Sequence, residues 1–252
     1  MGRNAAALDA KEEALKTFQP LRDRGFWLAE ILSGHGNTLA LVGRFDEAKR
    51  DLEAALDLAQ KQQNNPLIAQ ILNFQGDRLY YEGDFPAARR LYDQAFQTAS
   101  RSASRHVILV SQINRAKVAV RDGHAQAALK TLDAARKEAD TLGLKYASIE
   151  CSIHRGEALT QLKDYARARQ DLETALQKGE SLGARALLVR AHYMLTKVFS
   201  STGNAAEASR HSKEALRLLE EMRRETRSDS LLQREDLKPI AKLVLSSAKP
   251  PA

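Results

Sequence analysis

The chain has 252 residues, of which 43% are hydrophobic, 28% charged and only 6% aromatic. That charge fraction is near ordinary globular usage and argues against wholesale disorder, while 13 Gly and 6 Pro are few for a sandwich or barrel built on many tight turns. One cysteine excludes a disulfide framework or a Cys-based zinc cluster and points to a reducing compartment, and a net charge of +7 spread over 39 basic and 32 acidic side chains is modest.

At the start of the chain, residues 1–20 hold acids and no apolar core of signal-peptide length. The opening Met-Gly fails the myristoylation pattern at Ala6, where Ser or Thr is needed. Residues 4–18 predict a helix, with Gln19-Pro20 ending it. Aliphatic runs such as Ala186-Leu187-Leu188-Val189 fall far short of the ~20 residues that span a bilayer. A soluble, cytoplasmic chain without a membrane partner is expected.

From there an internal repeat organises the sequence. Gly43-Arg-Phe45-Asp-Glu-Ala48, Gly83-Asp-Phe85-Pro-Ala-Ala88, Gly123-His-Ala125-Gln-Ala-Ala128, Lys163-Asp-Tyr165-Ala-Arg-Ala168 and Gly203-Asn-Ala205-Ala-Glu-Ala208 superimpose without a gap, each 40 residues after the last. Leu52, Tyr92, Leu132, Leu172 or Ser212 follows, then Ala55, Ala95, Ala135, Ala175 or Ala215. Seven residues before each turn stands Gly36, Gly76, Ala116, Gly156 or, as the exception, Thr196. Apolar residues at i, i+3, i+4 and i+7 on both sides of a short turn predict two amphipathic helices per unit. Small residues recur where the axes must approach to about 8–10 Å.

Small–x2–apolar–x3–Gly–x–aromatic–x2–Ala–x3–Leu/Tyr–x2–Ala resembles the tetratricopeptide repeat, usually a 34-residue helix-turn-helix unit. The resemblance covers about residues 26–220, with five matches in phase. The period here is 40, the early Trp-type position is Leu32, Leu72, Gln112, Ser152 or His192, and the closing Pro is absent. It implies an all-α, right-handed solenoid of five helix pairs, at about 29–68, 69–108, 109–148, 149–188 and 189–222. Residues 1–25 would form an N-terminal cap, and 223–252 a linker and a C-terminal capping helix over Leu237–Ser247. HEAT-type helical arrays share the period and are the structural rival.

The catalytic search is negative, and no enzyme activity or cofactor is expected. No phosphate loop, H-E-x-x-H or G-x-S-x-G occurs. Cys151 and His154 share a helix without further ligands in phase, so Cys151 reads as a buried small residue and no metal is assigned. Binding remains. In tetratricopeptide arrays the first helices line a concave groove, and the resemblance projects partner-binding residues onto it. The first two units offer Asn37, then Asn73, Phe74, Asp77, Tyr80 and Tyr81. The third offers Asn114, Lys117 and Arg121, the fourth His154 and Glu157, the fifth Arg190, Tyr193 and Lys197. Aromatics beside amides resemble binding hot spots, and the cations suit carboxylates.

The function expected is therefore a non-catalytic interaction scaffold for a protein or peptide, acidic and with an apolar anchor. The alternative is a regulatory or sensor module of a bacterial signalling system, joined to a kinase, ATPase or transcription regulator and working through ligand binding or self-association, so homo-oligomers stay open. An RNA-binding array is disfavoured, because Glu30, Asp77, Glu150 and Glu157 balance Lys117, Arg121, Arg190 and Lys197 along the groove. The Ala columns yield a first prediction: Ala88→Arg or Ala128→Arg costs more than the ~1–3 kcal/mol of ordinary overpacking, since it also buries charge. A urea midpoint equal to that of the unmutated chain would refute the helix contact.

Overall fold

A computed structural model describes residues 4–18, 25–226 and 229–247. Among them every regular element is helical. The order is α1 (Asn4–Phe18), α2 (Gly25–Leu41), α3 (Phe45–Lys61), α4 (Asn65–Glu82), α5 (Phe85–Arg101), α6 (Arg105–Arg121), α7 (Ala125–Thr141), α8 (Lys145–Gln161), α9 (Tyr165–Leu182), α10 (Arg185–Ser201), α11 (Ala205–Thr226), a 3-10 turn (Asp229–Gln233) and α12 (Lys238–Ser247). The expected helix stop at Gln19-Pro20 lies outside the described residues.

Helices α2 to α10 are 17 or 18 residues long, about 25 Å each at 1.5 Å per residue. Their uniform length comes from one recurring stop. At residues 43, 63, 83, 103, 123, 143, 163, 183 and 203 the backbone turns to positive φ. The following amide then donates to the carbonyl five residues back, as in Arg44 to Leu39, Asn64 to Ala59, Asp84 to Leu79 and so on to Asn204 to Phe199, at 2.8–3.2 Å. This satisfies carbonyls that a helix end otherwise leaves open. The same closure thus ends both helices of the first four pairs and the first helix of the fifth. The next helix is then started by a side-chain cap where the sequence supplies one: Asn64 accepts from Leu67 N–H, Asp84 from Ala87 N–H and Asp164 from Arg167 N–H.

The described residues separate into two compact units, residues 4–111 with 225–236, and residues 112–224 with 237–247. In both, consecutive helices pack as antiparallel hairpins in tandem. In the first, α2 also lies on α4; in the second, α8 lies on α10. These pairings join the first helices of neighbouring hairpins, the arrangement of an α-solenoid.

Within a hairpin, the contact is a small residue receiving a large one sixteen positions later. A Cβ on Gly36 would stand 2.7 Å from Leu52 Cγ, on Gly76 2.5 Å from the Tyr92 ring, and on Gly156 2.5 Å from Leu172 Cγ. Leu52, Tyr92 and Leu172 are fully buried there. Tyr92 keeps its polar end satisfied by donating its hydroxyl to the Asp77 carboxylate at 2.8 Å. The first unit is filled by Ala29, Leu52, Ala55, Ala59, Leu67 and Ile71, the second around Ile149, Ile153, Ala175 and Ala191. An ion cluster around buried Arg155 and Asp171 ties three helices of the second unit: Arg155 of α8 pairs with half-buried Asp133 of α7 and with Asp171 of α9 at 3.0 Å, and Asp171 also takes half-buried Arg136 at 2.8 Å.

The fifth hairpin, where Thr196 and Ser212 break the pattern, is held differently. His192 Nδ1 and His211 Nδ1 share a hydrogen bond of 2.8 Å, and Phe199 stacks on His211 with centroids 5.4 Å apart. Helix α11 continues to Thr226, and Arg217 and Arg223 pair with Glu214 and Glu220 on its exposed side.

Three of the nine closures use non-glycine residues in the left-handed region: Gln63 (φ +55°), Ala103 (+52°) and Lys163 (+61°). A β-carbon there costs roughly 1–2 kcal/mol, more than glycine's extra unfolded-state entropy. Ala103→Gly is therefore expected to stabilise the chain by about 0.5–1 kcal/mol, read as a rise in melting temperature. A fall would contradict the closure geometry.

Candidate functional site

The sequence-projected positions fall on α2, α4, α6, α8 and α10, the first helices of the hairpins, and burial sorts them. In the first unit Asn37 is half-buried and Asn73 is 1% exposed. Asn73 donates its amide to the Ser111 hydroxyl at 2.8 Å and to the Ala69 carbonyl at 3.3 Å, a tie between α4 and α6. Phe74 packs against the core around Leu52 and Ile71. Asp77 is engaged by Tyr92. Tyr80 is buried and meets Tyr81 and Phe85 edge-on, with ring centroids 6.0 and 5.2 Å away. Tyr81, half-buried, carries the Arg234 guanidinium over its ring at 3.9 Å.

In the second unit Asn114 and Lys117 are buried while Arg121 is exposed. Helix α6 and helix α8 are tied there by Gln161, which donates to the Val120 carbonyl at 2.9 Å. The remaining five residues come together across α8 and α10. His154 is 1% exposed, with Nδ1 lying 3.5 Å from Glu157 Oε2 and 3.4 Å from Arg190 Nη2. Lys197 places its ammonium 5.9 Å from the centre of the Tyr193 ring.

Electrostatics fix the charge states of this group. Burial, reinforced by the positive charges of Arg190 and Lys117, pushes the His154 imidazole down to about 4, so it is neutral at pH 7. Burial opposes ionisation of Glu157, but the hydrogen bond with His154 and the charges of Arg190 and Lys197 outweigh it and hold the carboxyl below its ordinary value. Burial and the nearby Glu157 charge raise the Tyr193 phenol. A neutral imidazole, a phenol, one carboxylate and two cations on adjoining helix faces can hold an anionic or carboxylate-bearing group by charge-assisted hydrogen bonds.

No feature of this cluster resembles an activated nucleophile. Cys151, on the same helix, is fully buried and its thiol is pushed up to about 12 by burial first and then by Glu150, so thiolate is scarce at neutral pH. Among the described residues no group of three His, Cys, Asp or Glu side chains is placed to hold a metal ion, and no helix is long and apolar enough to cross a membrane.

Sequence reasoning passed over two groups. The His192–His211 pair was not marked, because His192 is the only histidine in its repeat column and His211 lies on the next helix. Arg234 belongs to a segment read only as part of the tail, yet it is 2% exposed and bonded into the first unit. Its contact to Leu41 spans 193 positions, beyond the reach of any local pattern.

The tetratricopeptide-repeat profile matches residues 27–101. No curated protein matches the sequence. Among solved structures, BtubC (BKLC) from P. vanneervenii is similar with a TM-score of 0.60 and 20% identity, over 87% of this chain and 91% of that one. A Rap protein complexed with competence and sporulation factor is similar with a TM-score of 0.66 and 16% identity, over 95% of this chain and 74% of that one. At such identities the likeness is one of fold.

The depressed imidazoles give a pH prediction. Burial lowers His154 and His192 from the usual 6.5 to about 4, with His211 as the second cause for His192. Between these values the unfolded chain binds protons that the folded chain refuses, so stability is complete above pH 6.5 and is lost as pH falls toward 4. Melting temperature is expected to drop from pH 7 to pH 4.5. His154→Gln should reduce proton uptake on unfolding near pH 5 by about one proton. An unchanged pH slope in that variant would contradict the buried neutral state.

Proposed function

We propose that this chain, whose residues 27–101 match the tetratricopeptide-repeat profile, is a non-catalytic protein-interaction scaffold whose α8–α10 face takes an acidic protein segment with an apolar anchor. The supporting observation is the charge balance of that face taken together with α6, since on α8 and α10 alone Arg190 and Lys197 meet Glu150 and Glu157. On α6, α8 and α10 the projected binding positions hold four bases, Lys117, Arg121, Arg190 and Lys197, against two acids, Glu150 and Glu157, while burial keeps His154 neutral. Arg190 and Lys197 bracket Glu157 and Tyr193, so an incoming carboxylate meets cations beside an aromatic surface. Such a mixture of ring area and charge is what carries binding energy at protein interfaces. The Rap protein of similar fold is complexed with a factor, which supports a binding role for this architecture.

Charge on the partner supplies orientation and association rate, and the aromatic and aliphatic surface supplies residence time. Selection of peptides from a random library by the intact chain tests this. Acidic sequences are expected to be enriched. Arg190→Glu with Lys197→Glu should weaken the selected peptides at least tenfold with far-UV circular dichroism retained, since several charge-assisted bonds are lost. Selection of basic or uncharged peptides, or binding indifferent to the charge reversal, would contradict the reading.

A further inference from the structure

Residues 229–236 do not continue the tandem of hairpins. They form a short 3-10 turn and a bend that belong to the first unit, although the helices on either side of them, α11 and α12, belong mainly to the second. The segment lies against the ends of the first two hairpins. Arg234 Nη1 donates to the carbonyl of Leu41, the last residue of α2, at 2.7 Å. Its guanidinium covers the Tyr81 ring near the end of α4 at 3.9 Å, and the next amide, Glu235 N–H, donates to the Tyr81 carbonyl at 2.7 Å. Leu231 is completely buried.

The receiving surface is shaped for backbone. Gly43, at φ +82°, sits so close to the segment that a Cβ there would be 2.0 Å from the Ser230 carbonyl oxygen. A Cβ on Gly83 would touch Glu235 Cγ at 3.4 Å. Two helix C-terminal ends converge on the guanidinium, and their open carbonyls and negative dipole ends favour a cation. The segment also carries its own counter-ion. Asp236 accepts from Arg234 Nε at 3.1 Å and Nη2 at 2.8 Å, a bidentate pair in which both side chains are nearly fully buried. That ion pair would travel with the segment if it left.

The surface therefore reads as a recognition site for a Leu-x-x-Arg-x-Asp sequence, here supplied by Leu231, Arg234 and Asp236 of the same chain. We propose that the ends of α2 and α4, with Gly43 and Gly83 behind them, form a second peptide-docking site that the chain fills with its own residues 229–236, and that a protein segment of the same Leu-x-x-Arg-x-Asp chemistry docks there by displacing them. The inference goes beyond the α8–α10 reading and uses none of its residues. An intramolecular occupant acts at a high effective concentration, so even a weak self-contact keeps the site closed until a competing segment is abundant or tighter.

The test uses the full chain and a fluorescein-labelled peptide with the sequence of residues 228–238. The Arg234→Ala chain, whose own segment has lost its anchor, is expected to bind the peptide at least tenfold more tightly than the unmutated chain. A peptide with Ala at its arginine should not bind, and adding Tyr81→Ala to the Arg234→Ala chain should abolish binding. Equal or absent binding by both chains, with circular dichroism and melting retained, would overturn the proposal. Should Arg234→Ala fail to fold, hydrogen exchange of the unmutated chain decides. Excess peptide must then speed exchange across 229–236, including the Glu235 amide, while the Ala-substituted peptide does not. Exchange there that occurs only with global unfolding and ignores the peptide would mark the segment as a fixed part of the fold and sink the inference.

Discussion

One hydrogen bond sets the geometry of this chain: an amide just past a left-handed residue reaching back five positions to a helix carbonyl. It occurs nine times at 20-residue intervals among the described residues. Because it stops each helix at nearly the same length, a small residue of one helix meets a large residue of the next at the same height in three of the hairpins. Gly36 with Leu52, Gly76 with Tyr92 and Gly156 with Leu172 are the same contact in three places. A helix one turn longer or shorter would shift these knobs by about 5 Å and leave a cavity opposite each glycine.

Much of this was legible in the amino-acid order. The glycines at 43, 83, 123 and 203 mark turns within hairpins, and Gly143 and Gly183 mark turns between them, all with positive φ. The Ala and Leu/Tyr columns gave the buried faces. Lys163 was marked only by its place in the column of Gly43, Gly83, Gly123 and Gly203, and nothing marked Gln63 and Ala103; all three side chains disfavour the conformation and only the flanking helices impose it. The tandem constraint overrides local preference at those three positions.

The positions projected onto the first helices were legible in direction and not in depth. Helical phase puts Asn73 and Lys197 on comparable faces of their helices, yet Asn73 is buried against Ser111 and Lys197 is exposed. The difference lies in which neighbour each helix receives, and a single helix does not encode that. Tyr81 was read as an anchor for a partner; in the structure its ring is covered by Arg234 of the same chain. The two units thus present different situations: a face of mixed charge on α8 and α10, and an aromatic surface near the end of α4 already met by a cation.

The central claim is that a left-handed residue closes every helix from α2 to α10, whatever side chain it carries. Backbone dihedral angles at Gln63, Ala103 and Lys163, measured by NMR through three-bond couplings and Cα shifts, test it most directly. The account requires positive φ at all three. A negative φ at any of them would break the 20-residue register and, with it, the shared contact on which the stacking of the hairpins rests.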